Sequence, residues 1–361
     1  MSKKMKAVVL EKPFTLKVKE IPWFEFTSPE EVMLKVEACG ICGSDLRYYQ
    51  GENPWALHTL GIEKPNPPNI VLGHEYAGVV VEVNHPSNKD LIGKRVAVLC
   101  FKVCGKCDFC RTGRENLCKN TIHMGHGQGW GEREYYPGAY AQYCLAWANL
   151  VYPLAENISS EESAMLDILA VGLHVARRGN IRPGSAILCL GCGPAGNAIM
   201  QSAKCLGAGK TIITDISPLA LKIAEECGAD VIIDARKEDV KEQVLKETRG
   251  KGVSAVYDSI GTEQSLQMGL ELLEEGGTLV NMAVHSGEIK FPALNLSGER
   301  RICTSSNFRI SEFQTALDYL ASGRYKVKPW ITHRFSLDEV HKAFDLLLGE
   351  KKQAFKVVLI P

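Results

Sequence analysis

The spacing of apolar and polar positions changes character part-way along the chain. Up to about Pro153 the apolar residues fall in short runs, alternating or continuously branched, punctuated by Gly and Pro. Lys6–Leu10, Glu31–Ala38, Glu75–Val83 and Arg95–Leu99 are predicted as strands on this pattern. Two stretches lack periodicity: Gly51–Asn69, rich in Pro and polar residues, and His123–Tyr136, rich in Gly and aromatics. Both are predicted as irregular excursions. From about Ser159 the period becomes helical over Glu161–Arg178, and strand and helix then alternate. Strands are predicted at Ala186–Leu190, Thr211–Thr214, Val231–Ile233, Ala255–Tyr257, Thr278–Met282 and Ile302–Ser305. Helices are predicted at Asn197–Leu206, Pro218–Cys227, Lys237–Thr248, Glu263–Leu273 and Glu312–Ala321. Such alternation implies a parallel, doubly wound α/β sheet. The closing helix Leu337–Leu348 and strand Phe355–Ile360 do not continue it, so the tail is expected to rejoin the first domain. The expected organisation is a β-rich domain over residues 1–157, a doubly wound domain over 158–325, and a return of 326–361 to the first.

Composition narrows the class. The 361 residues suit two domains. Lys+Arg and Asp+Glu both number 42, so the basic excess of a nucleic-acid binder is missing and no nucleic-acid partner is expected. No run of eighteen apolar residues occurs, and no membrane partner is expected. Thirteen cysteines are many for a chain without the look of a secretory leader. The expectation is a cytoplasmic enzyme with reduced thiols.

Four of those cysteines read Cys104-x2-Cys107-x2-Cys110-x7-Cys118. Thiolates at this density suit one tetrahedral zinc, and four sulfur ligands leave no open position, so the site should be structural. The residues between them are too polar to hold a shape by burial, which makes a metal staple reasonable. A pair of disulfides is the other reading, disfavoured by the compartment.

Gly191-x-Gly193-Pro194-x-Gly196 follows a strand and opens a helix. In that context the first glycine makes the tight turn. The second lets a pyrophosphate approach the backbone, and the third lets helix and strand pack closely. The helix N-terminus then presents free N–H groups and a positive dipole end. Asp215 ends the next strand, placed to take ribose hydroxyls and to repel a 2′-phosphate, so NAD is expected rather than NADP. An ordinary βα turn with a solvated Asp is the plainer reading.

A zinc with an open position needs three ligands. Cys39-Gly-Ile-Cys42-Gly-Ser44-Asp45, Gly73-His74-Glu75 and Leu166-Asp167 could supply them, though spacing alone does not join them. Together Cys42-Gly-Ser44-Asp45, Gly73-His74-Glu75-x2-Gly78, the four-cysteine lobe, Gly191–Gly196 followed by Gln201-x-Ala203-Lys204, and Asp215 carry a resemblance. Over nearly its whole length the chain resembles the zinc-dependent medium-chain alcohol and polyol dehydrogenases, on the sorbitol and threonine dehydrogenase side. The resemblance implies a GroES-like β-barrel catalytic domain with a Rossmann domain, two Zn²⁺ per chain, NAD, and a homodimer or homotetramer. It implies Cys42 and His74 as catalytic zinc ligands and Glu75 as a ligand that exchanges or stands behind them. It also implies Asp167 as a carboxylate ligand, where alcohol dehydrogenases proper have cysteine.

Two positions depart from that pattern. Ile168 stands where Pro often follows the carboxylate, which leaves open a local capping role for Asp167. Arg47 stands where a relay histidine is common. Arginine does not shuttle protons at neutral pH, so Ser44 is expected to take the alcohol's proton. For Arg47 three readings stay open: a contact to the cofactor pyrophosphate, an ion pair with Glu52, or recognition of an anionic substrate. The implied reaction is hydride transfer from a secondary alcohol, polyol, cyclitol or sugar-derived, to NAD. An amino-alcohol substrate of the threonine type and a non-catalytic NAD- and zinc-binding relative are the alternatives.

Overall fold

The long apolar run Glu31–Gly40 becomes the central strand of a β-rich unit, because a strand buried over most of its length needs partners on both edges. In a computed structural model, which describes residues 3–283, 287–349 and 353–361, it pairs antiparallel with Glu75–Val83, Tyr143–Trp147 and the C-terminal Lys356–Ile360. The seven-stranded sheet runs Val151–Pro153, Arg95–Val98, Glu75–Val83, Glu31–Gly40, Lys356–Ile360, Ile331–Ser336, with Tyr143–Trp147 joining at Glu31–Gly40. A second sheet holds Thr15–Pro22, Lys4–Lys12 and Ile70–Val71. This unit comprises Met1–Asp167 and Ile331–Pro361.

Register decides what meets at the end of the central strand. Gly40 lies opposite Glu75 on one side and opposite Val358 on the other. Cys42, two residues beyond the strand, therefore falls beside His74 and Glu75, and Lys356 falls beside Glu75. Gly40 is required there: a Cβ would lie 2.4 Å from Glu75 Oε2 and 3.2 Å from Lys356 Cε.

Ile168–Trp330 forms the second unit. Its six strands are parallel, in the order Val231–Asp234, Lys210–Asp215, Ala186–Leu190, Val253–Asp258, Leu273–Asn281, Arg301–Thr304. In chain order this is 3-2-1-4-5-6, the doubly wound arrangement with its switch point between the first and fourth strands. Leu188, Leu190, Ile212, Val256, Leu270 and Leu279 are buried in its core.

Several elements differ in extent from the pattern. Glu161–Arg178 divides into Ser160–Ser163 and Leu166–Arg178. Leu337–Leu348 begins as a 3₁₀ turn, Leu337–Glu339, before the helix Val340–Leu348. Within the stretch expected to be irregular, Ala56–Leu60 forms one π-helical turn. Thr15–Pro22, Tyr143–Trp147 and Ile331–Ser336 were not signalled: charged residues dilute the first and last, and the second is short. Among the described residues no helix is long and apolar enough to cross a membrane.

Candidate active site

Cys42, His74 and Glu75 bring one ligand atom each within 4.8 Å of one another. Cys42 caps the helix Gly43–Tyr49, and His74 directly precedes the strand Glu75–Val83. His74 and Glu75 are buried. Gly73 makes the turn before them at φ +92°, and a Cβ there would strike Tyr140 and Cys39 Sγ. Asp45, in the first turn of the helix, holds this corner together. Its Oδ2 accepts from Cys42 N–H at 2.9 Å and from Tyr140 Oη at 2.8 Å, and its Oδ1 lies 3.5 Å from His74 Nδ1. Burial alone would raise the Asp45 pKa, but the His74 ring and these hydrogen bonds outweigh it and bring it below the usual carboxylate range. A carboxylate facing Nδ1 leaves Nε2 as the ligand atom, the usual orientation of a metal-binding histidine.

Glu75 Oε2 lies 2.5 Å from Lys356 Nζ, an ion pair in which both side chains are buried. Contact is close, though off the best hydrogen-bond direction, since neither Glu75 oxygen has a well-oriented donor. Burial would lower the Lys356 pKa, but Glu75 more than offsets this and keeps the ammonium charged. A soft thiolate, an imidazole and a carboxylate without a well-oriented donor fit Zn²⁺, and such a set of three would leave one position open.

Asp167 stands outside this set. It begins the helix Leu166–Arg178, and its Oδ1 accepts from Cys100 Sγ at 3.3 Å. Burial raises its pKa to about 6, with Glu75 adding to the rise and His74 opposing it. Ser44 Oγ is buried without a hydrogen-bond partner. Arg47 Nε donates to Glu52 Oε2 at 2.7 Å.

The cysteine lobe forms a second cluster, Cys104, Cys107, Cys110 and Cys118, with ligand atoms within 4.8 Å of one another. Cys107 Sγ lies 3.5 Å and Cys104 Sγ 3.9 Å from Cys110 Sγ, far beyond a disulfide bond. The backbone N–H groups of Lys106 and Cys107 draw the Cys104 thiol down to about 6, while burial pushes Cys110 up to about 12. Four thiols at this spacing ionise together only around a cation, which is the behaviour of a closed zinc site.

Gly191 (φ +92°) turns the chain after Ala186–Leu190, and Gly193 caps the helix Pro194–Cys205. A Cβ on Gly196 would lie 2.0 Å from Gly191 O, whereas one on Gly193 would meet nothing within 4 Å. Gly196 therefore serves packing, and Gly193 leaves the approach open that a pyrophosphate requires. Pro194 sits at the first helical position, where a missing N–H costs nothing. Asp215 Oδ2 accepts from Cys192 N–H at 2.7 Å, and its Oδ1 accepts from Ile216 N–H at 2.7 Å and Ser217 N–H at 2.8 Å. The carboxylate is thus fixed beside the glycine turn. Asp215→Ala is expected to raise the KM for NAD about 10- to 100-fold, the loss of a charge-assisted hydrogen bond, and to narrow the gap to NADP. Steady-state kinetics with both cofactors checks this; equal use of both by the unmodified chain would contradict it.

Tyr140, Lys356, Cys100 and His126 were not singled out from the sequence, and Asp45 entered it only as part of the motif Cys42-Gly-Ser44-Asp45. Asp45 carried a signal, three residues after a ligand at a helix start. Lys356 carried none, since only strand pairing brings it to Glu75.

Residues 28–156 match the family described as the alcohol dehydrogenase GroES-like domain, and residues 194–322 match that described as zinc-binding dehydrogenase. The chain is 32% identical over 360 residues to the sorbitol dehydrogenase of Bacillus subtilis, covering 99% of this chain and 97% of that one. Among solved structures, an Escherichia coli oxidoreductase of unknown specificity superposes with a TM-score of 0.89 at 29% identity, covering 99% of both chains. An alcohol dehydrogenase from E. coli CFT073, complexed with NADH, superposes with a TM-score of 0.86 at 26% identity, again over 99% of both.

Proposed function

This chain belongs to the zinc-dependent medium-chain polyol dehydrogenase family, and on that premise we propose how its own residues divide the work of oxidising a secondary alcohol of a polyol with NAD. The overall change is secondary alcohol plus NAD⁺ to ketone, NADH and a proton. Zinc, when bound, supplies a Lewis acid that makes a hydroxyl acidic near neutral pH, and NAD, when bound, supplies the hydride acceptor.

Cys42, His74 and Glu75 hold the ion, and the observation that carries this is their convergence within 4.8 Å. Asp45 orients His74, and Lys356 balances the charge of Glu75. Ser44, whose buried Oγ has no other partner, takes the alcohol's proton as it gives up its own towards the cofactor ribose or solvent, which releases the proton of the overall change. Arg47 takes no part in proton transfer, being always charged and paired with Glu52. Gly191, Gly193 and Gly196 with the helix at Pro194 receive the pyrophosphate, and Asp215 takes the adenosine ribose. Cys104, Cys107, Cys110 and Cys118 hold a structural zinc. None of the thirteen cysteines is in a disulfide, which supports a reducing compartment such as the cytoplasm.

NADH formation against a panel of polyols, amino alcohols and simple alcohols tests the reading. Turnover should be highest for a polyol. Turnover of L-threonine without polyol turnover would move the substrate to the amino-alcohol class, and no turnover of any alcohol would leave a non-catalytic relative.

A further inference from the structure

The segment His123–Gly131 has no secondary-structure period, yet it is locked against the metal corner. Gly125 and Gly127 flank His126 at φ +73° and +65°. A Cβ on Gly125 would lie 2.6 Å from the carbonyl oxygen of Gly73, the residue before His74. Gly125 N–H donates to Pro137 O at 2.7 Å, and Ala139 N–H to Gly73 O at 2.9 Å, so the loop and the His74 turn are tied to one short stretch. His126 is thereby delivered to His74: their ring centroids are 4.6 Å apart, edge to face. It stacks on His123 at 3.8 Å and packs against Tyr48 at 4.8 Å.

The position is unusual in its polar accounting. His126 is only 7% exposed, and neither Nδ1 nor Nε2 has a hydrogen-bond partner. Its neighbours are accounted for: His123 Nδ1 faces Met124 O at 2.8 Å, and Tyr48 Oη faces Asn53 Oδ1 at 3.3 Å. Leaving both imidazole nitrogens dry would cost a few kcal/mol, on the order of 1–3 for each group, with no return in packing that a Phe would not give. A buried ring with one donor and one acceptor unspent suits a ligand group that is itself donor and acceptor, and a hydroxyl is such a group.

We infer that His126 is a specificity-determining residue, which hydrogen-bonds a second hydroxyl of the substrate whose reacting hydroxyl lies at the corner where Cys42, His74 and Glu75 would hold the metal. This rests on the polyol reading above and names the group that recognises the polyol. His126 lies outside the set Cys42, His74 and Glu75, and the role proposed for it is recognition of the substrate. A mono-alcohol would leave the ring unsatisfied and so bind less well, which is how a site built for a hydroxyl discriminates against an analogue lacking it.

The test compares butane-2,3-diol with butan-2-ol, a pair differing by one neighbouring hydroxyl, with D-sorbitol as a longer polyol. NADH formation is followed for the unmodified enzyme, His126→Phe, which keeps the stacking, and His126→Gln, which restores a donor and an acceptor. Zinc content and NADH binding are measured on each. The Phe variant should lose about 10- to 100-fold in kcat/KM for the diol and sorbitol, mainly through KM. Its butan-2-ol value should stay within about threefold of the unmodified enzyme's, since no hydrogen bond to that substrate is removed. The Gln variant should recover part of the loss. Equal losses for diol and mono-alcohol, loss of a zinc, or an unchanged diol value would each overturn the proposal while leaving the dehydrogenase reading intact. Failure of the unmodified enzyme to oxidise sorbitol and the diol at all would overturn the polyol reading, and this proposal with it.

Discussion

Cys42→Ser is expected to bind one zinc fewer per chain than the unmodified protein and to turn over its alcohol at least about 1,000-fold more slowly. The reason is chemical. Three candidate ligand atoms converge there, and removing the thiolate would leave an imidazole and a carboxylate that is already held by Lys356. Without the ion, the alcohol must lose its proton from a pKa near that of bulk water, against about 7 for water on a catalytic zinc. NADH binding should survive, because Gly191–Gly196 and Asp215 lie in the separate unit Ile168–Trp330. Asp167→Asn provides the contrast. Asp167 accepts from Cys100 and stands outside the convergent set, so this variant should keep its zinc and lose about 10- to 100-fold, the usual cost of disturbing a group around a metal site. Metal analysis and steady-state turnover on both variants separate the cases. If Asp167→Asn loses zinc as fully as Cys42→Ser, Asp167 is itself a ligand and the Cys42–His74–Glu75 assignment fails.

Cys107→Ser should have the largest effect on stability and little on chemistry. The lobe from Cys104 to Cys118 has one four-residue helix, Asp108–Arg111, and its intervening side chains are mostly polar. Apolar burial is a small part of what holds it. Structural zinc contributes about 10–16 kcal/mol to the folding of such segments. Losing even about 4 kcal/mol of that would lower Tm by about 10 °C, at about 2–4 °C per kcal/mol for domains of 150–250 residues. The metal content should fall by one, and the folded fraction should turn over within an order of magnitude of the unmodified chain, because a site with four sulfur ligands has no position for a substrate. An unchanged zinc content, or a folded variant without activity, would remove the structural assignment.

Much of this was legible without coordinates. The alternation of strand and helix after Ser159 specified a parallel sheet, since each apolar run needs cover on both faces. The glycines at 191, 193 and 196 and the acid at 215 are local requirements of one βα turn, so adjacent residues carry them. The cysteine lobe was equally plain, because four ligands within fifteen residues need no distant partner. The convergent metal set was different. Cys42 and His74 are joined by the pairing of Gly40 with Glu75, and periodicity alone does not select that register. Their proximity entered the sequence reading only through family resemblance. Resemblance alone left the third ligand open between Glu75 and Asp167, and it named neither Lys356 nor His126. Strand register brings Lys356 to Glu75, and a loop tied to Gly73 brings His126 to His74. A buried charge or a buried unpaired ring is recognisable only when its neighbours are known, and here those neighbours come from the opposite end of the chain and from a segment with no period of its own.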